Sequence, residues 1–217
     1  MRPQQDRQPA RGRPRSQESE KAILDATMEL LSEIGFRAMT VEAIAARAGA
    51  SKSTIYRRWP AKENLVIAAF AQTPLLVVRG RGDTVAQLVE VQAQFANLMQ
   101  ETTLGGVLAA LVAERAHSPA LGVAMDPLVH QRRQPMAEIL TRAVERGELP
   151  ADIDLEFAID MISAPVLQRI MVMGLPTDRR YIRQAVETAF RGLGGRVAPA
   201  ARTGTRRAQA RHEERMR

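Results

Sequence analysis

The sequence predicts an all-α fold, in which a small N-terminal helical unit containing a helix-turn-helix is joined to a larger C-terminal helical domain. Three observations carry this reading. Apolar residues recur at spacings of three and four along most of the chain. Ser, Thr, Asp, Gly and Pro stand where these runs begin and end, and no stretch alternates apolar with polar residues as a half-buried strand would. With 217 residues, 45% of them apolar, the chain has material for two units, since domains commonly span about 100–150 residues.

Residues 1–16, rich in Pro, Gln and Arg, bury too little apolar surface to fold alone and are expected to form a flexible basic arm. A first helix follows from Ser16. Its inward positions, Ile23, Leu24, Thr27, Leu30, Leu31 and Ile34, are apolar except for Thr27, and Gly35 supplies a left-handed stop. Thr40 can cap a second helix with Val41, Ile44, Ala45 and Ala48 on its inner face, ended by Gly49. Ser51 can cap a third, running through Ile55 to about Trp59, where Pro60 interrupts the pattern. Leu65, Val66, Ala69 and Phe70 form the apolar side of a fourth. The stretch 73–83, with Pro74, Gly80 and Gly82, reads as a connection, so the expected domains are 17–77 and 78–195. Further helices are expected at 84–101, 104–116, 119–147, 154–173 and 177–191, with irregularity at Pro127 and Pro135 in the third of these. Gly192, Gly194 and Gly195 end the last helix, and 196–217 reads as a basic disordered tail.

The net charge of +7 is unevenly spread. Residues 1–62 hold 12 Lys and Arg against 7 Asp and Glu, residues 63–195 hold 12 against 15, and residues 196–217 hold 7 against 2. Basic ends on a mildly acidic body point to a polyanion partner, with nucleic acid the leading candidate. The chain has no cysteine, which removes disulfides, thiolate nucleophiles and cysteine-ligated metals. No apolar run approaches the roughly 18 residues of a membrane span, and the N-terminus has no signal-peptide core. A soluble, cytoplasmic protein without a membrane partner is therefore expected. His117, His130 and His212 lack metal-ligand spacing, and Glu114 with His117 lacks the second such pair and the further carboxylates that a di-iron bundle needs. No catalytic residues, no metal and no cofactor are expected, so the chain does not read as an enzyme.

Function concentrates in the segment TVEAIAARAGASKSTIYRRW, residues 40–59. Ala45 is small where two helices must approach, Gly49 suits the positive φ of the turn, and Ile44, Ala48 and Ile55 seal the core between them. With the preceding helix ILDATMELLSEIGF and the continuation PAKENL, this segment resembles the tetracycline-repressor-like (TetR) family of bacterial regulators, above all at Ser51-Lys52-Ser53-Thr54-Ile55-Tyr56. Two departures stand out: Ser53 replaces a frequent glycine, and Arg57-Arg58-Trp59 replaces a run that is often His or Tyr followed by Phe.

A recognition helix enters the major groove with its N-terminal residues first, so Ser51, Lys52, Ser53 and Thr54 are expected at base edges or adjacent phosphates. Arg57 reads as a phosphate contact, and the resemblance implies the same for Tyr56 and Lys62; Thr40 can offer its hydroxyl or helix-start N–H to a phosphate. For Trp59 core packing is the favoured reading, and for Arg47 and Arg58 a solvated face is as good as contact. In the arm, Arg11-Gly12-Arg13-Pro14-Arg15 forms an extended basic stretch that suits a narrow A·T-rich minor groove, with Arg11, Arg13 and Arg15 as contacts.

One such helix reads only a few base pairs, so a homodimer placing two of them about 34 Å apart is expected on a palindromic double-stranded operator. Ile159, Ile162, Val166 and Ile170 form one apolar stripe, and Ile182, Val186 and Phe190 another; with the resemblance, they are expected to make an antiparallel four-helix interface, an intrachain core being the alternative. The middle helices are rich in methionine, an adaptable pocket residue. Phe95, Met99, Leu108, Leu111, Glu114, His117, Met125 and Met161 are the candidates to line a cavity for a small apolar or amphipathic effector. The expected function is a ligand-released repressor; the alternative is a DNA-binding regulator with no small-molecule effector, controlled by a protein partner or by its abundance.

Overall fold

The structure is a computed structural model that describes the backbone of residues 13–78 and 83–196, and the side chains of 17–78 and 83–196. The described residues form α-helices and no strand. α1 (Arg13–Ala38) begins inside the segment expected as an arm, with Pro14 in the first turn, where its missing N–H forfeits no helical hydrogen bond. The extended reading of Arg13 to Arg15 is corrected accordingly; Arg11 and the side chains of Arg13 and Arg15 lie outside the described residues. Gly35, at φ 75°, breaks the helical backbone where the periodicity stops. Ile34, expected inward, is 47% exposed, because the bend turns Phe36 and Met39 into the core in its place. Thr27 is fully buried and satisfies its hydroxyl by donating to the Ile23 carbonyl at 2.7 Å.

α2 (Val41–Ala48) and α3 (Lys52–Arg58) form the helix-turn-helix, and α4 (Lys62–Ala71) follows. Thr40 caps α2 by accepting the Ala43 N–H at 3.1 Å, and Ser51 caps α3 by accepting the Thr54 N–H at 3.2 Å. Caps of this kind contribute about 1 kcal/mol each. Gly49 takes φ 62° at the end of α2, a left-handed conformation that closes the turn without a Cβ penalty.

The rest consists of α5 (Thr84–Glu101), α6 (Leu104–Arg115), α7 (Pro119–Glu145), α8 (Leu155–Met171) and α9 (Arg179–Gly192). Asp83, Ser118, Asp154 and Asp178 each accept a backbone N–H at the start of α5, α7, α8 and α9. α7 runs as one helix through both Pro127 and Pro135. No described helix is long and apolar enough to cross a membrane.

Two hydrophobic cores form, and they do not divide where the sequence suggested a boundary. The first joins α1 to α4 with Leu104, Val107 and Leu111 of α6 and Leu121 and Met125 of α7. The second gathers α5, the C-terminal half of α7, α8 and α9. α1 lies along α6, where Gly106 permits the close approach: a Cβ there would meet the Ser32 hydroxyl at 2.7 Å and force it to turn aside. The helix-turn-helix is thus packed as one body with α6 and the start of α7.

Candidate nucleic-acid interface and internal cavity

The core of the helix-turn-helix is Ile44, Ala45 and Ile55, all buried, with Trp59 also buried at 9% exposure. This fixes which side of α3 faces out. Ser51, Lys52, Ser53, Tyr56 and Arg57 are exposed, and Thr54 is half-buried. The Ser51 hydroxyl lies 2.9 Å from the hydroxyls of both Ser53 and Thr54 while it caps the helix, so its first role is to hold the helix start. Lys52 donates to Glu42 of α2 at 3.0 Å. That hydrogen bond is the main cause holding the Glu42 carboxyl below the usual carboxylate range.

The other cations of the head divide sharply. Arg47 pairs with Glu33 at 2.7 Å and Arg58 with Glu20 at 3.1 Å, which places both on the helical body rather than free at the surface. Among the described residues Arg57 makes no ion pair, and Tyr56 beside it, 48% exposed, makes no hydrogen bond through its hydroxyl. Lys62, expected at a phosphate, is half-buried. Its amine donates to the carbonyls of Phe36 at 2.7 Å and Met39 at 3.1 Å and lies 4.2 Å from the centroid of the Phe36 ring. It pins α4 to the α1–α2 corner and keeps one donor for any other acceptor.

A cavity of about 230 Å³ lies at the seam of the two cores. Of the candidates from sequence, Phe95, Met99, Leu108 and Met125 line it. Four do not. Leu111 is fully buried in the first core, and Met161 is 45% exposed on the outer face of α8. Glu114 accepts from Arg37 at 2.9 Å, tying α6 to the end of α1, and His117 places Nδ1 3.1 Å from the Ala113 carbonyl at the end of α6. Helical spacing alone could not separate the face of α6 turned to the cavity from the face turned to α1.

The polar residues of the cavity wall were not anticipated. Gln92, 3% exposed, donates to Ser163 Oγ at 3.2 Å and to Met136 Sδ at 3.4 Å. Arg132 donates through one terminal nitrogen to the Phe70 and Thr73 carbonyls at 3.0 and 3.3 Å and to the Thr73 hydroxyl, and through the other to Pro74 at 3.1 Å. Its guanidinium sits 4.6 Å from the centroid of the Phe70 ring, while its buried Nε has no partner. Burial lowers its pKa from the ordinary arginine value. A glutamine on the apolar stripe of α5 and a basic pair inside a long helix were the available signals.

The expected dimer stripes are corrected as well. Ile159, Ile162, Val166, Ile182, Val186 and Phe190 are at most 2% exposed within one chain and belong to the second core; Ile170 packs partly buried against both cores. A residue already covered by its own chain has no apolar area left to bury against a partner. The outer face of α8 instead exposes Phe157, Met161, Ala164 and Leu167 at spacings of four and three.

A family model for bacterial regulatory proteins of the tetR family matches residues 23–69, and one for the tetracyclin repressor-like C-terminal domain matches residues 78–189. An uncharacterized HTH-type transcriptional regulator of Bacillus subtilis, YdeS, is 33% identical over 189 residues, covering 86% of this chain and 95% of its own. A DNA-binding transcriptional repressor of Mycobacteroides abscessus, TetR, is 28% identical over 200 residues, 89% of this chain and 99% of its own. Among solved structures, the transcriptional regulator FadR from Bacillus subtilis in complex with stearoyl-CoA shares the fold at a TM-score of 0.64 and 20% identity, over 77% of this chain and 96% of that one.

Proposed function

The chain belongs to the TetR family of transcriptional regulators, and on that premise we propose that it is a repressor which binds a palindromic operator as a homodimer and is released by a small ligand. The observation that carries the DNA half is the outer face of α3. Its buried side is taken by Ile55, which leaves Lys52, Ser53, Tyr56 and Arg57 exposed, with Lys52 paired to Glu42. Short hydroxyls suit base edges, and Tyr56 and Arg57 suit phosphates because neither has another partner among the described residues. Thr40 and Ser51 hold the two helix starts in place.

Pairing of two chains is assigned to the exposed stripe of α8, since Phe157, Met161 and Leu167 retain apolar surface that a partner can cover. The cavity favours ligand release over control by abundance alone, for an apolar wall with a few polar side chains at the seam of two cores has the make-up of a small-molecule site. FadR of Bacillus subtilis holds stearoyl-CoA on the same fold. A role of this kind on chromosomal DNA implies a cytoplasmic protein.

The test is selection of bound duplexes from a random-sequence pool, followed by sedimentation of the complex. An inverted repeat that carries two chains supports the reading. A single unrepeated site carrying one chain, or no enrichment, contradicts it.

A further inference from the structure

Arg132 is the point where the cavity meets the DNA-reading head. Its guanidinium lines a cavity walled mostly by apolar side chains, and no carboxylate stands within ion-pair distance of it among the described residues. The charge is met by carbonyl dipoles at the C-terminal end of α4 and the connection beyond it, from Phe70, Thr73 and Pro74, with the Thr73 hydroxyl and the Phe70 ring beside them. Nε is buried and unpartnered. By contrast Arg133, also on the wall, is held by Glu156 at 2.8 Å and Asp160 at 2.7 Å.

A half-buried guanidinium with an unpartnered Nε and no counter-ion among the described residues is matched by a planar anion, which accepts two parallel hydrogen bonds. The rest of the wall, with Phe95, Leu98, Met99, Leu108 and Met125, is matched by a hydrocarbon. The volume of about 230 Å³ falls below the roughly 300 Å³ at which pockets for drug-sized ligands begin, so the ligand is small.

Building on the reading of the cavity as an effector site, we propose that the ligand is a small amphipathic carboxylate whose tail fills the apolar wall and whose head binds Arg132 in competition with the α4 carbonyls. Pairing with the carboxylate draws the guanidinium from Thr73 and Phe70, and only that turn brings the covered Nε to the second carboxylate oxygen. α4 is then released at one end while Lys62 at its other end still grips the α1–α2 corner. This contact is the chemistry by which a carboxylate would act within the ligand-released reading proposed above.

The probes are sodium decanoate and decan-1-ol, which share a chain and differ in the anionic head, titrated into the full-length protein by calorimetry below their aggregation limits. Trp59, the only tryptophan, caps α3 outside the cavity and reports on the head by its emission. Decanoate is expected to bind at least about tenfold more tightly than decanol, the lower end of what a hydrogen bond to a charged group supplies, and to change Trp59 emission. Arg132→Gln should lose that preference while still binding decanol, and Arg132→Lys should keep part of it; the wild-type ratio needs no variant to fold. Equal binding of both probes to the wild type, or a preference that survives in R132Q, overturns the carboxylate assignment and leaves the cavity as an effector site. Binding of neither probe overturns both.

Discussion

Glu42→Gln is expected to strengthen DNA binding and to make it more sensitive to salt. In the free protein Lys52 and Glu42 form an exposed pair at 3.0 Å, so the cation that heads α3 is neutralised by its neighbour on α2. Lys52 holds the Glu42 pKa below its ordinary value, and the carboxylate is therefore ionised throughout the neutral range. Replacing it with an isosteric amide keeps the shape and frees one cation per subunit. Each phosphate newly neutralised steepens the dependence of log Kd on log salt by about 0.9, so a dimer gains up to about 1.8. Fluorescence anisotropy of a labelled selected duplex, measured across about 50–200 mM salt, reads both slope and affinity. Arg57→Gln serves as the opposite case, because Arg57 has no ion-pair partner among the described residues and its loss should flatten the slope by the same amount. An unchanged slope with weaker binding in E42Q would refute the reasoning, since it would mean that Glu42 itself contacts a base, for example a cytosine amine.

Leu111→Ala, at a fully buried position of α6 packed into the core that holds the head, should destabilise the protein by about 2–5 kcal/mol in denaturant unfolding; a loss below 1 kcal/mol would place Leu111 outside a rigid core. Met161→Glu, on the exposed stripe of α8, should give a folded monomer by sedimentation and abolish tight operator binding, whereas an intact dimer would move the interface elsewhere. Glu148 accepts from Arg146 at 2.7 Å and from Thr84, joining the end of α7 to the start of α5, and these partners, Arg146 first, lower its pKa. Its stabilising effect is present above the unfolded value near 4.5 and is lost as pH falls through the lower folded value, so E148Q should lessen the acid sensitivity of the melting temperature in that window.

The head was the most legible part of the chain. Thr40, Gly49 and Ser51 have roles set by local backbone chemistry, and a few residues of sequence suffice to read a cap or a left-handed turn. The stop at Gly35 was equally local, but its consequence was not: that Phe36 and Met39 displace Ile34 depends on the direction the chain takes after the bend. In the C-terminal helices the apolar stripes were visible while their partners were hidden. Ile159 and Ile182 recur at helical spacing whether they face a second chain or their own, and only tertiary packing assigns them to the intrachain core. The cavity was half read for the same reason. Methionines at Met99 and Met125 drew attention, whereas Arg132 acquires its meaning from carbonyls some 60 positions away in sequence.

Methylation protection on the selected duplex reads the proposed base contacts themselves, because dimethyl sulfate attacks guanine N7 in the major groove, where Lys52 and Ser53 are proposed to lie. Two protected clusters about 10 base pairs, or one helical turn, apart are expected, both weakened in Lys52→Ala. A single protected cluster, or protection confined to adenine N3 in the minor groove, would contradict that placement.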